Sequence, residues 1–235
     1  MRFLLKIKMV TVIALLFFLQ NIHAQTVKEN PYRLKIISTI QSYDSLVHSD
    51  SLKKLVELVQ VVPAIRLDIR YASTDNFTHA RIYASARAFT RLPVARALAQ
   101  VQKDLEKKGL GLKVFDAYRP YTATLLFYNV MHDTVFVAAP WKGSRHNRGC
   151  AVDLSLTDLK SGKELEMPTP YDDFTKKASP TWMDLPEKAL KNRKILIDVM
   201  NARGFTVYPD EWWHFDFKGW EDYELMDLTF EELDE

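Results

Sequence analysis

Two short stretches of the sequence carry side chains that could bind a metal ion. His146 and Asp153 lie in the run Ser-Arg-His-Asn-Arg-Gly-Cys-Ala-Val-Asp that begins at Ser144, and His214 closes the run Glu-Trp-Trp-His that begins at Glu211. Two imidazoles and one carboxylate form a three-ligand set that leaves the fourth position of a tetrahedral zinc ion open for water. A free glutamate three residues before the last ligand could take a proton from that water. The two stretches together predict one Zn²⁺ per chain and metal-assisted hydrolysis.

Each of these residues also has an ordinary interpretation. An isolated histidine is more often a surface or core residue than a ligand, Asp153 alone could be a charge at a strand edge, and Glu211 alone could be a solvated loop residue. The chain has six histidines, and two of them fall in the two stretches that also carry these carboxylates. Because the separate interpretations do not explain this combination, the sequence favours the metal site.

Period-two alternation predicts how the two stretches present their polar side chains. Along 151–156 it places Asp153 opposite the apolar residues, and along 211–217 it does the same for His214 and Asp216. The residues expected in the core are Val152, Leu154, Leu156, Trp213, Phe215 and Phe217. We therefore expect two adjacent strands that each present a ligand on a solvent-accessible face. The alternation also directs Cys150 into the core, where a thiol packs as a small apolar group, although thiolate is a good zinc ligand.

The remaining pattern predicts the elements that position these strands. Pro93 at a first helical turn, an apolar stripe and a stop at Gly109 indicate a helix over 93–108. Further helices are predicted over 32–47, 120–131 and 184–203, and further strands over 65–71 and 112–118. The order of elements predicts an α+β fold, a single domain in which a mainly antiparallel sheet carries the zinc site and helices pack on one side.

The N-terminus has the layout of a secretory signal. Arg2, Lys6 and Lys8 precede an apolar run over 9–19, and Ala24 supplies a small residue at the expected cut. The run is shorter than the roughly 18 residues that a bilayer-spanning helix needs. We therefore expect a signal peptide over 1–24, a mature domain over 25–235, an exported protein that is periplasmic or secreted, and no membrane association after cleavage.

Charge and cysteine content exclude two further classes of protein. The formal net charge of +2 falls to about −1 when the three cations of the signal are removed, which argues against a nucleic-acid partner held by phosphate contacts. A single cysteine excludes an internal disulfide framework. Stability must therefore come from packing, with the metal adding to it.

Arg119 lies at the end of the predicted strand, directly before the helix that starts at Pro120. At this place a guanidinium can reach over the mouth of a sheet and stabilise the oxyanion of a tetrahedral intermediate. It can equally serve as the ion-pair partner of Asp116 or of another surface carboxylate. The sequence leaves both interpretations open.

These motifs resemble those of the zinc D-Ala-D-Ala peptidases. The residues that carry the resemblance are Ser-x-His-x-x-Gly-x-Ala-x-Asp over 144–153 and Glu-x-Trp-His over 211–214. A narrower resemblance to the VanX-type D-alanyl-D-alanine dipeptidases is carried by Asp-Ile-Arg-Tyr-Ala-Ser-Thr-Asp-Asn-Phe over 68–77, Asp-Ala-Tyr-Arg-Pro over 116–120 and Met-Pro-Thr-Pro-Tyr-Asp-Asp-Phe over 167–174. The resemblance covers about residues 55 to 220.

The resemblance implies a role for each site residue. It makes His146, Asp153 and His214 the zinc ligands, Glu211 the general base and acid, and Arg119 the group that assists at the scissile carbonyl. It also implies that Asp172 recognises the free amino end of a small dipeptide and that Ser144 lines the cleft. The expected reaction is hydrolysis of D-Ala-D-Ala in cell-wall peptide metabolism.

Two other functions remain open at this stage. A D,D-carboxypeptidase or a peptidoglycan endopeptidase would carry the same two zinc motifs. A non-catalytic wall-binding module could keep zinc for structure alone, although the intact Glu211 and the open coordination position weigh against it.

Overall fold

A five-stranded sheet lies at the centre of the computed structural model, which describes residues 30–234. The strands are β1 (Ile36–Ile37), β2 (Leu55–Glu57), β3 (Arg66–Leu67), β4 (Phe89–Arg91), β5 (Leu110–Asp116), β6 (Ala151–Asp158), β7 (Phe205–Tyr208), β8 (Glu211–Phe217) and β9 (Leu225–Met226). The helices are α1 (Ile40–Ser49), α2 (Leu58–Val61), α3 (Leu92–Glu106), α4 (Tyr121–Val130) and α5 (Glu187–Asn201).

The order of the central sheet is β3-β5-β6-β8-β7, with β3 parallel to β5 and the other three pairs antiparallel. Two small sheets flank it, formed by β1 with β9 and by β2 with β4. Helices α3 and α5 pack against the central sheet and against each other. The prediction of an α+β fold with a mainly antiparallel sheet and packed helices is confirmed.

Helix α3 shows why the sequence forms this layer. Its apolar residues Val94, Leu98, Val101 and Leu105 recur at helical spacing and are fully buried. Complete burial of such a side chain contributes roughly 1.5–3 kcal/mol. After the helix, Gly109 adopts a φ of +71°, a conformation that glycine accepts without steric cost, and the chain turns directly into β5.

Two irregularities in the central sheet set the directions of its polar side chains. Val114 pairs with Leu154, but the next pair joins Asp116 to Asp153, so that Phe115 is an extra residue in β5. Asp153 pairs on its other side with His214. Since directly opposed residues share a face, Asp116, Asp153 and His214 form one row across β5, β6 and β8. The second irregularity lies between β7 and β8, where Val207 pairs with Phe215 but Tyr208 pairs with Glu211.

The predicted helices over 93–108, 120–131 and 184–203 are α3, α4 and α5, with ends that differ by at most three residues. The prediction over 32–47 is correct only from Ile40 onward, because Ile36–Ile37 pairs with β9 and Thr39 caps the helix through its side chain. The strand predicted over 65–71 is also shorter than expected. Arg66–Leu67 pairs with β5, and the chain then turns into a short 3-10 helix over Arg70–Ala72.

The predicted signal peptide over 1–24 lies outside the described residues. Within residues 30–234, none of the helices has the length and apolar character that a bilayer span requires.

Candidate metal centre

The side chains of His146, Asp153 and His214 converge on one side of the central sheet. His214 Nδ1 lies 3.0 Å from Asp153 Oδ1 and 3.1 Å from His146 Nε2, and His146 Nε2 lies 3.3 Å from Asp153 Oδ1. His214 and Asp153 come from paired strands, and His146 comes from the short 3-10 helix that precedes β6. The structure therefore brings together the three ligands predicted from the sequence.

A glycine makes the turn between His146 and β6 possible. Gly149 has a φ of +68°, and a Cβ atom on it would lie 2.7 Å from Leu55 Cδ2 and 3.3 Å from the backbone nitrogen of Arg91. An L-residue would therefore be strained here in its backbone and crowded by its neighbours. The glycine of the first motif allows His146 to fold back over Asp153.

The donor set fits a zinc ion. Asp153 Oδ1 is buried and has no hydrogen-bond partner, although two imidazole nitrogens lie within 3.3 Å of it. Ligand atoms of a tetrahedral zinc ion, with bonds of roughly 2.0–2.2 Å, are separated by roughly 3.3–3.6 Å, close to the distances found here. A cation between the three atoms would satisfy the buried carboxylate oxygen, which is otherwise costly to leave unpaired.

The other ring nitrogen of each imidazole makes a contact that orients the ring toward Asp153. His146 Nδ1 lies 2.7 Å from the backbone oxygen of Ala117, and His214 Nε2 lies 3.0 Å from Asp216 Oδ1. A proton on each of these nitrogens leaves the other ring nitrogen free to bind a metal, as in most histidine metal ligands.

The electrostatics of the site favour positive charge. Burial lowers the pKa of His214, but the adjacent carboxylates of Asp153 and Asp216 outweigh this and raise it to about 10. Burial acts to raise the pKa of Asp153, yet the two histidines hold it below the ordinary value. A cation at this point is therefore strongly stabilised.

Glu211 reaches the same face as His214 because of the irregularity at β8. Residues three apart point to opposite faces of a regular strand, yet Glu211 Oε2 lies 3.7 Å from His214 Nδ1. The carboxylate is 8% exposed, and burial raises its pKa to about 8, with the charge of Asp153 acting in the same direction and that of His214 against it. A carboxylate of this kind can exchange a proton near neutral pH.

Arg119 lies both beside Asp116 and at the cavity over the site. Its Nε and Nη2 donate to Asp116 Oδ2 at 2.9 and 2.8 Å, so it is the partner of Asp116. It also lines the cavity over the site, with Nη2 3.9 Å from Asp153 Oδ2. The ion pair thus fixes a buried guanidinium beside the three metal-binding side chains.

Ser144 and Asp172 both line the cavity. Ser144 Oγ accepts a hydrogen bond from the backbone nitrogen of His146 at 3.1 Å, so it also braces the turn that carries this ligand. Asp172 adopts a φ of +60° and accepts a hydrogen bond from the Tyr71 hydroxyl, 3.1 Å from Oδ2. Burial raises the pKa of Asp172 to about 8, with the charge of Asp153 acting in the same direction.

The expectation of solvent-accessible ligand faces is wrong. Asp153 is only 3% exposed and His214 only 8%. The loop between β6 and α5 covers this side of the sheet, because the Tyr171 ring stacks on Phe115 at 4.5 Å and meets the edge of Trp213 at 5.5 Å. Trp213, expected in the core, is buried but also lines the cavity.

The site lies in a cavity of about 450 Å³. Four phenylalanines form one wall beside Asp172 and Tyr71, and these are Phe77, Phe127, Phe136 and Phe174. The segment between α4 and the 3-10 helix contributes Thr134 through Ala139 to the lining. A volume of this order is typical of a small-molecule site.

Sequence reasoning missed the contacts of two tyrosines of the site and the contact of Asp216 with His214. Alternation placed Asp216 on the face of His214, because it lies two residues further on, but it did not assign Asp216 a partner. Tyr71 was predicted in a strand and lies in a 3-10 helix, and Tyr171 lies in a turn, where no period predicts side-chain direction. Burial, followed by the charges of Asp153 and Asp172, raises the pKa of Tyr171 well above its ordinary value, and its hydroxyl keeps its proton.

The chain is similar to known proteins over most of its length. Residues 51–231 match the model of the Peptidase M15 family, described as D-ala-D-ala dipeptidase. The D-alanyl-D-alanine dipeptidase of Escherichia coli (strain K12) is 32% identical over 173 residues, which cover 74% of this chain and 89% of the relative. That of Streptomyces coelicolor is 32% identical over 68% of this chain and 89% of its own length, and that of Enterococcus faecalis is 28% identical over 67% and 88%.

Proposed function

The chain belongs to the D-Ala-D-Ala dipeptidase family of zinc metallopeptidases, and from this we propose that it hydrolyses free D-Ala-D-Ala with one Zn²⁺ held by His146, Asp153 and His214. One observation carries the proposal. The buried Asp153 Oδ1 faces two imidazole nitrogens within 3.3 Å, in a cavity that also holds a buried glutamate and a buried arginine.

When bound, zinc would lower the pKa of a water molecule and polarise the scissile carbonyl. Glu211 accepts the proton of the attacking water and then donates it to the leaving amine. Its position 3.7 Å from His214 suits both steps, and in the metal-free protein burial raises its pKa to about 8. Arg119 supplies positive charge to the oxyanion that develops on the carbonyl oxygen, and Asp116 holds its guanidinium in place.

Recognition of a free dipeptide requires a group for its ammonium end. Asp172 lies in the cavity lining with Tyr71 beside it, and together they offer a carboxylate and a hydroxyl to an ammonium. Ser144 lines the same cavity next to the metal-binding residues. The substrate is thus expected to be a small peptide with a free amino end.

Export is part of the proposal. The cationic start and short apolar run over 1–24 suit a cleaved signal peptide, which would place the enzyme in the periplasm or outside the cell, where it could recycle wall fragments. Expression of the full chain followed by mass measurement of the mature protein tests this. A mature protein that begins at Gln25 supports export, and one that keeps Met1 in the cytoplasmic fraction contradicts it.

The function is tested by pairing zinc content with turnover. The wild-type chain should bind one zinc per chain and hydrolyse D-Ala-D-Ala but not L-Ala-L-Ala, and a chelator should abolish this activity. Glu211→Gln should keep its zinc and lose about 10²–10⁴-fold in kcat, whereas His146→Ala should lose the metal.

Three results would contradict the proposal. Full activity in Glu211→Gln would remove Glu211 from the mechanism, and unchanged zinc in His146→Ala would remove it from the ligands. Faster release of D-Ala from a pentapeptide stem than from the free dipeptide would identify a D,D-carboxypeptidase instead.

A further inference from the structure

Tyr171, on the loop between β6 and α5, lies over the side of the central sheet that carries Asp153 and His214. Its ring stacks on Phe115 with centroids 4.5 Å apart and an interplanar angle of 19°, and it meets Trp213 edge-on at 5.5 Å. These contacts come from β5 on one side and β8 on the other. The ring is therefore held over β6, which lies between those two strands.

The hydroxyl of this ring reaches Asp153. It donates a hydrogen bond to Oδ2 at 2.9 Å, while Arg119 Nη2 lies further from the same oxygen, at 3.9 Å. The other carboxylate oxygen, Oδ1, faces the two imidazole nitrogens and has no hydrogen bond. The two oxygens of Asp153 are thus divided, one toward Tyr171 and one toward the metal-binding nitrogens.

We propose that Tyr171 is a positioning residue for the metal, which holds Asp153 so that a single oxygen is presented to the ion. The inference rests on the proposed zinc site. A carboxylate in which one oxygen already accepts a strong hydrogen bond binds the metal through the other, and its rotation about the Cβ–Cγ bond is restricted. Partners of this kind typically improve metal affinity by 10–100-fold.

A neighbouring tyrosine provides a matched control. The Tyr71 hydroxyl lies 3.4 Å from that of Tyr171 but donates its proton to Asp172, at 3.1 Å from Oδ2. Each tyrosine has one hydroxyl proton, so the two hydroxyls serve different carboxylates. The Tyr71 ring is buried and the Tyr171 ring is partly buried, both pack against aromatic side chains, and phenylalanine preserves the ring at either position.

The test compares the zinc affinity of Tyr171→Phe, Tyr71→Phe and the wild-type full chain, by competition with a chromophoric chelator at one pH. Tyr171→Phe should bind zinc about 10–100-fold more weakly, and Tyr71→Phe should remain close to the wild type. The metal-free melting temperatures of the two variants should fall by similar amounts, because each loses one hydrogen bond to a carboxylate. The absorption spectrum of the cobalt-loaded protein should change in Tyr171→Phe alone.

The outcomes separate this inference from the proposed function. If the wild type binds one zinc and Tyr171→Phe binds it equally well, the positioning role is wrong and the zinc site stands. Equal weakening in both variants would also overturn the role, since it would reflect general loosening of the cavity. A wild-type chain without stoichiometric zinc would contradict the proposed function itself.

Discussion

Replacement of Asp116 by asparagine is expected to destabilise the fold by about 3–5 kcal/mol. Asp116 is 1% exposed and accepts four hydrogen bonds. Its Oδ2 takes two from Arg119, at 2.8 and 2.9 Å, and its Oδ1 takes one from the Tyr83 hydroxyl at 3.0 Å and one from the backbone nitrogen of Ala117 at 2.9 Å. Both carboxylate oxygens are thus fully used as acceptors.

An amide cannot replace this carboxylate in either orientation. If its oxygen faces Arg119, its NH₂ group meets the N–H donor of Ala117 and the Tyr83 hydroxyl must turn to accept, and if the amide is turned, its NH₂ group meets the guanidinium. In both cases the Arg119 side chain, 9% exposed, loses its hydrogen-bonded carboxylate and keeps the more distant Asp153, 3.9 Å from Nη2. The loss of this close partner from a buried charge is the reason for the expected 3–5 kcal/mol.

Two further variants separate charge from hydrogen bonding. Tyr83→Phe removes one hydrogen bond but keeps the ion pair, and should cost about 1.5–3 kcal/mol. Asp116→Asn combined with Arg119→Met removes both charges and should recover part of the loss. The assay is urea unfolding of the metal-free proteins at pH 7, with equal m values as the condition for comparison. A loss below about 1 kcal/mol in Asp116→Asn, or an additional loss in the double variant, would refute the reasoning.

Three further outcomes follow from the described contacts. Because the folded metal-free protein holds the pKa of Asp172 near 8 and the unfolded chain near 4, the wild type loses stability as pH rises between these values. The melting temperature of Asp172→Asn should therefore rise relative to that of the wild type across that range, and a difference in melting temperature that does not change with pH would contradict this. Cys150 is fully buried with a pKa raised to about 12 by burial, so the native thiol should resist a disulfide reagent that labels it in guanidinium, and rapid native labelling would show an open core. Gly149→Ala should cost at least about 1–2 kcal/mol in urea unfolding, since a left-handed conformation alone costs this much, and a neutral effect would mean that the turn relaxes.

Local chemistry made part of this fold predictable. The helices α3, α4 and α5 each begin at a proline, with Pro93 in the first turn of α3 and Pro120 and Pro186 at the N-caps of the other two. Proline restricts φ to a helical value and lacks the N–H that a first turn leaves unpaired. These signals lie within a few residues of the helix starts, so the sequence reveals them without knowledge of the fold.

The strand predicted over 65–71 is too long because its end depends on a distant partner strand. Its alternation continues to Tyr71, but β5 offers a partner only to Arg66–Leu67 and to the backbone nitrogen of Asp68. The backbone oxygen of Tyr71 instead accepts hydrogen bonds from Ile82 and Tyr83. A strand ends where its partner ends, and this information lies elsewhere in the chain.

The site shows the same division between local and distant information. The identities of His146, Asp153 and His214 were readable because histidine and carboxylate are the side chains that zinc prefers. The directions of the Asp116 and Glu211 side chains could not be predicted from alternation, because both depend on breaks in the strand register. In an unbroken register Phe115 would lie opposite Asp153, and the Asp116 carboxylate that fixes Arg119 would point to the other face.

The irregularities of the sheet are therefore part of the chemistry. A regular β8 would send Glu211 and His214 to opposite faces, since they lie three positions apart, and a regular β5 would separate Asp116 from Asp153. The two breaks instead bring Glu211 and the Asp116–Arg119 ion pair to the side of the sheet where the two histidines meet one β6 residue, Asp153, which pairs with a neighbour on each side. Because this residue also accepts the Tyr171 hydroxyl, a change in strand register on either side would disturb the metal centre and its orienting contact together.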